Sequence, residues 1–179
     1  MAPRIVAISG KSGCGNSTVS LLLAERLRFR YINYTFKAMA AERGITFEEM
    51  LLLANADPSY SFDRALDAKQ VELAHEGDCV VGSRLAMWLL PDATLRVYLT
   101  GSLEVRATRI QAREGAGFAG KLAFTKERDE SDHRRYLDIY GIDNDDLSSA
   151  DLIVNTELWL PEAIVDIVAT AIGHMTRNE

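Results

Sequence analysis

The chain has 179 residues, which against ~100–200 residues per domain predicts one domain. Its 47% hydrophobic and 26% charged residues exclude disorder and fibrous repeats, and 20 basic against 26 acidic residues, a net charge of −6, leave no basic footprint for a nucleic-acid polymer. No apolar run approaches the ~18–20 residues of a membrane span, and the short apolar run at residues 4–9 does not make a signal-peptide core. Cys14 and Cys79 stand far apart without metal-type spacing, so a cytoplasmic protein with free thiols is expected.

In chain order, residues 4–9 are a short β-branched run and predict a buried strand. A glycine-rich turn follows at 10–15. From Ser17 the period changes, and Val19, Leu22, Leu23 and Leu27 mark an amphipathic helix. Residues 31–33 suggest a second strand, and 36–43 a helix stopped by Gly44. Thr46 with Glu49 three residues later predicts a capping box for a helix running to about Ala54. Asp57-Pro58 marks a turn, and a longer helix runs through His75 to Gly77.

Strands are expected at 79–82 and at 95–99, the second after a Pro91-Asp92 turn. A helix covers 103–113, the three glycines of 115–120 predict a mobile loop, and a highly charged helix spans 126–138. A last strand at 151–155 leads to a helix opened by Pro161, with Ile164, Val165, Val168 and Ile172 facing the core. Five strand candidates alternating with helices imply an α/β three-layer sandwich around a mostly parallel sheet. Met39, Met50 and Met87 read as core filler, Trp88 and Trp159 as packing residues. His75, His133 and His174 show no ligand spacing.

The turn carries the chemistry. Gly10, Lys11, Ser12, Gly13, Cys14, Gly15, Asn16, Ser17 and Thr18 lie between first strand and first helix, where a phosphate loop of pattern G-x-x-x-x-G-K-[ST] belongs. Glycines let backbone N–H groups converge on a phosphate, and the helix N-terminus adds its dipole. Ser17 holds the position whose hydroxyl ligates Mg²⁺. Asn16, however, stands where the pattern has its lysine, which weakens charge neutralisation unless Lys11 bends back to replace it. Cys14 is expected as a small residue rather than an activated thiol.

Five stretches resemble the cytidylate kinase family, especially its short archaeal-type branch: 23–27 (LAERL), 42–49 (ERGITFEE), 66–74 (LDAKQVELA), 80–88 (VVGSRLAMW), and 127–143 from ERDESD through RRY to YGID. The resemblance implies a P-loop nucleoside monophosphate kinase fold, with residues 33–76 binding the acceptor and 114–136 forming a lid. It implies phosphoryl transfer from ATP to CMP or dCMP with Mg²⁺, as monomer or dimer. Branch members that carry threonine for the loop lysine make Asn16 less anomalous.

Carried over by position, the resemblance gives Lys37 the acceptor phosphate, in place of an arginine. Arg84 contacts the acceptor nucleotide, and Asp67 and Lys69 match an acceptor-binding stretch that also includes Gln70. Gly82 stands where the family has an acid. Arg128, Asp132 and Arg135, at i, i+4 and i+7 on one helix face, match a lid set in which the arginines stabilise the transferring phosphoryl group; Arg113 and Arg134 are weaker candidates. The competing readings are a nucleotide-binding protein with weak or no kinase activity, or a P-loop kinase for another small acceptor. No Asn-Lys-x-Asp motif supports a GTPase.

Overall fold

Strand β1 (Ile5–Ser9) is buried along its whole length, as a strand covered on both faces must be. Its alternation splits the core in two. Val6 and Ile8 join one apolar cluster with Val19 and Leu23 of α1 (Asn16–Leu27) and Ile164, Val165 and Val168 of α8 (Pro161–His174). Ile5 and Ala7 join the other, with Ala74 of α4 (Ser61–Ala74) and Ala86 and Met87 of the short α5 (Ala86–Leu89). A computed structural model describes residues 2–115 and 117–175 of the chain.

All pairings are parallel, in the order β2-β3-β1-β4-β5, with β2 (Arg30–Ile32), β3 (Cys79–Gly82), β4 (Leu95–Thr100) and β5 (Leu152–Asn155). The α/β three-layer sandwich read from the sequence is the observed fold. From β1 the chain runs to β2 at one edge and returns to β3 beside β1, then crosses to β4 on the other side of β1, and that reversal makes the switch point where such sheets open a crevice at the strand C-termini. The register Ile8↔Gly82 and Ser9↔Tyr98 sets the residues after β1 and β3 level with each other there.

Helices α2 (Phe36–Arg43), α3 (Phe47–Asn55) and α4 follow β2. Thr46 and Glu49 form the expected reciprocal cap on α3, at 2.8 and 3.2 Å. Met39 and Met50 are buried between α2, α3 and α4, and both cysteines are buried free thiols.

The segment after α6 (Leu103–Glu114) differs from the sequence reading. Instead of a loop over 115–120, Gly115 caps α6, Gly117 precedes α7, and α7 is a single helix Phe118–Tyr140 that includes Gly120; Ala116 lies outside the described residues. Glycine weakens a helix interior by only about 1 kcal/mol, and α7 offsets this by packing along α6. Among the described residues no helix is long and apolar enough to cross a membrane.

Candidate active site

The crevice holds a cavity of about 740 Å³. Its floor is the loop from Gly10 to Thr18 with the start of α1. Gly13 at φ +87 is required twice over: its conformation disfavours a side chain, and a Cβ would stand 2.8 Å from the Arg106 carbonyl oxygen. Asn16 folds back on the loop, its Nδ2 donating to Gly10 O at 3.0 Å, and so braces the turn. Cys14 is buried in the core under the loop, and burial pushes its thiol up to about 11; it is the inert small residue expected.

Lys11 does not bend back over the loop. Its ammonium lies 2.5 Å from Asp145 Oδ1, beside His133 and Asp143, whose ligand atoms lie within 4.8 Å of one another and of Asp145. Histidine 133, scattered in the sequence, thus belongs to an acidic cluster already occupied by a lysine.

Two arginines of α6 hold the loop, Arg106 from beneath and Arg109 from the cavity wall, and the sequence reading missed both. Arg106, only 4% exposed, donates to Gly101 O and Ser12 O, each at 3.1 Å, and to both oxygens of Asp129 at 3.1 and 2.6 Å. Arg109 donates to Thr156 Oγ1 at 2.8 Å and Thr156 O at 2.7 Å, and reaches Gly13 O at 3.4 Å. The available signal was their i, i+3 spacing, continued by Arg113, which turns three cations to one side of α6.

The opposite wall is built by residues 33–36, Asp63, Leu66, Asp67, Gln70, residues 82–85, Arg128 and Tyr136. Arg84, at the C-terminal end of β3, donates to Asp132 at 3.0 and 3.2 Å and to Tyr136 OH at 3.3 Å. Burial raises the pKa of Asp132, and the Arg84 charge opposes it. The i, i+4, i+7 set does not form a ladder along α7. Asp132 binds Arg84, Arg135 pairs with Asp63 of α4, and Arg128 is left facing the cavity. Of the cations on this wall and floor, Arg128 alone among the described residues has neither hydrogen bond nor ion pair; burial, and then the neighbouring Arg84 charge, lower its pKa.

Two carried-over cations fall outside the cavity. Lys37 is exposed on α2, and Lys69 pairs with Glu72 at 2.8 Å. Asp67 is in place, accepting from Tyr140 OH at 2.6 Å and Gln70 Nε2 at 3.2 Å. Arg113 reaches the wall beside Glu114, and Arg134 is exposed. Trp88 packs edge-on against Tyr98, as a packing residue should. Trp159 does not: it is 50% exposed and lines the cavity with Leu160 and Pro161, as do Arg109 and Arg113.

The donor set for a divalent ion is sparse. Ser17 offers its hydroxyl on the cavity floor, but a Cβ at Gly82 would stand 2.6 Å from Ser20 Oγ and 2.8 Å from Ser20 Cβ, so no carboxylate fits there. These residues suit Mg²⁺ carried on phosphate oxygens and water, which that ion retains readily, with one protein hydroxyl.

A model of the "Cytidylate kinase-like family" matches residues 5–158. A cytidylate kinase of Pyrococcus horikoshii is 39% identical over 173 residues, covering 96% of this chain and 89% of that protein. Cytidylate kinase 2 of Borreliella afzelii is 45% identical over 154 residues, covering 84% and 85%. Among solved structures, shikimate kinase from Bacteroides thetaiotaomicron superposes with a TM-score of 0.63 at 17% identity, over 97% of this chain and 99% of that one; at that identity it bears on the fold alone.

Proposed function

From the premise that the chain belongs to the cytidylate kinase-like family and is a nucleoside monophosphate kinase, we propose that it transfers the γ-phosphoryl group of ATP to CMP or dCMP, giving CDP or dCDP. The observation that carries this reading is one cavity bounded by the phosphate loop and by the wall of Arg84, Tyr136 and an unpaired Arg128. Two nucleotides meeting end to end need that arrangement.

In this reading the loop N–H groups and the α1 N-terminus hold the donor phosphates, and Arg109, Trp159 and Leu160 flank the donor base. Ser17 would hold Mg²⁺ through its hydroxyl, and the ion would supply positive charge against the donor phosphates. Helices α2–α4 form the acceptor segment and α7 the lid. Arg84, fixed by Asp132, meets the acceptor phosphate. Arg128, with no internal partner to give up, is set to bond the equatorial oxygens as charge spreads over them; a donor preorganised in this way acts mainly on the transition state. Arg135 positions the acceptor segment through Asp63 instead of touching the phosphoryl group. No general base is needed, because the chemistry is positioning and electrostatics, and closure excludes the water that would hydrolyse ATP.

The test is coupled ADP release with ATP, Mg²⁺ and each of CMP, dCMP, UMP, AMP, GMP and TMP. CMP or dCMP should give the highest kcat/KM. Release independent of the acceptor, or fastest with a purine, defeats the proposal.

A further inference from the structure

Gln70 ends the acceptor side of the cavity wall and is only 3% exposed. Its Nε2 donates to Asp67 Oδ1, while Asp67 Oδ2 accepts from Tyr140 OH. Asp67 thus accepts at both of its oxygens, and the Gln70 amide turns its NH₂ to Asp67 and its carbonyl oxygen away. That oxygen, Oε1, is buried and has no partner. A buried acceptor without a donor carries a desolvation penalty, and a ligand donor would remove it. Phe36, Leu66 and Leu85 on the same wall supply apolar surface for a flat ring. Lys69, the neighbouring polar residue, is held by Glu72 off the wall.

We propose that Gln70, oriented by Asp67 and Tyr140, selects an acceptor base bearing an exocyclic amine, a 4-aminopyrimidine over a 4-oxopyrimidine. This deepens the kinase reading above and rests on it. The amine of cytosine donates to Oε1 and satisfies both groups. The 4-oxo group of uracil sets acceptor against acceptor, and neither is satisfied. Rejection through an unpaired polar group exceeds what shape alone achieves between rings of the same outline.

Asp67→Asn makes the sharpest test. The isosteric amide accepts from Tyr140 through its oxygen, so its NH₂ faces Gln70, which must turn round and present its own NH₂ to the base. kcat/KM for CMP and UMP is measured for the wild type, Asp67→Asn, Gln70→Met and Gln70→Glu, with calorimetric Kd values for both nucleotides as a readout independent of turnover. The wild type should prefer CMP by at least about tenfold. Gln70→Met should bring the two nucleotides close to parity, and Asp67→Asn should shift the ratio toward UMP by about tenfold or more. Gln70→Glu, which keeps an oxygen toward the base, should keep the CMP preference. If Asp67→Asn does not fold, as judged by circular dichroism, the two Gln70 variants decide. Equal losses for CMP and UMP, with wild-type CMP turnover intact, overturn the assignment of Gln70 and leave the kinase reading standing. A wild type that neither binds nor turns over CMP overturns both.

Discussion

Removing the Asp129 carboxylate isolates one of the few buried charges of the protein. Arg106 and Asp129 have side-chain exposures of 5% and 15%, and among the described residues their two bonds are the only ion pairing either group makes. Asp129→Ala leaves the guanidinium with two backbone carbonyls and no counter-charge. Breaking a buried pair from one side costs about 3–5 kcal/mol. At about 2–4 °C per kcal/mol for a chain of this size, the melting temperature should fall by about 6–20 °C. Asp129→Asn, which keeps one acceptor, should lose roughly half as much. The double variant Arg106→Met, Asp129→Leu should recover most of the loss, because an apolar pair carries no desolvation penalty. Its KM for ATP should nevertheless stay raised, since Ser12 O has lost its anchor. Thermal and urea denaturation of the four proteins, with initial rates for the double variant, make the measurement. A loss below about 1 kcal/mol for Asp129→Ala, the range of an exposed pair, would refute the reasoning.

Arg128→Ala should lower kcat by about 10²–10³, as removal of one transition-state donor does, while the melting temperature moves by no more than about 2 °C because no internal partner is lost; equal damage to both would make Arg128 structural. Asn16→Lys should raise turnover in the ADP-release assay by about tenfold or more, since Lys11 is committed to Asp145, and should give up about 1 kcal/mol with the Gly10 bond; unchanged turnover would show that the site needs no further cation. Cys14 and Cys79 should react with a disulfide reagent only on unfolding, because burial pushes both thiols up to about 11. Their unfolded value is 9.0, so the unfolded chain loses these protons first as pH rises. Stability should then fall between pH 9 and about 11, with a shallower fall in Cys14→Ala; identical slopes would count against the burial argument.

The strands and the phosphate loop were legible because both are local. A β-branched run, a glycine turn and a change of period name themselves within twenty residues. The glycines at 115, 117 and 120 misled, since composition alone cannot tell two helix caps and one tolerated interior glycine from a loop. At the site, Arg84 and Arg128 lay where the motif order implied, and Asp67 with them. Arg106, Arg109 and Asp129 escaped because their partners are backbone carbonyls, a threonine hydroxyl or the opposite charge on another helix, which no short window contains. The Arg128/Asp132/Arg135 spacing suggested one shared face, but each member meets a different element, a distribution only the packing reveals. Gly82 looked like a lost ligand; the nearness of Ser20 makes it a filled position, in which helix and strand have closed over the space.

Helix α7 meets its partners in turn along its length: Arg106 under the loop through Asp129, the end of β3 through Asp132, and helix α4 through Arg135 and Tyr140. Each residue in a helix advances about 1.5 Å and turns about 100°. A single deletion between Asp129 and Arg135 would therefore swing every later side chain by about 100° around the axis and leave Asp63 and Asp67 without their partners. Length is thus constrained in this helix more tightly than composition: it can change many of its exposed residues, but even a whole turn gained or lost would slide the later side chains about 5.4 Å along the axis, away from their partners.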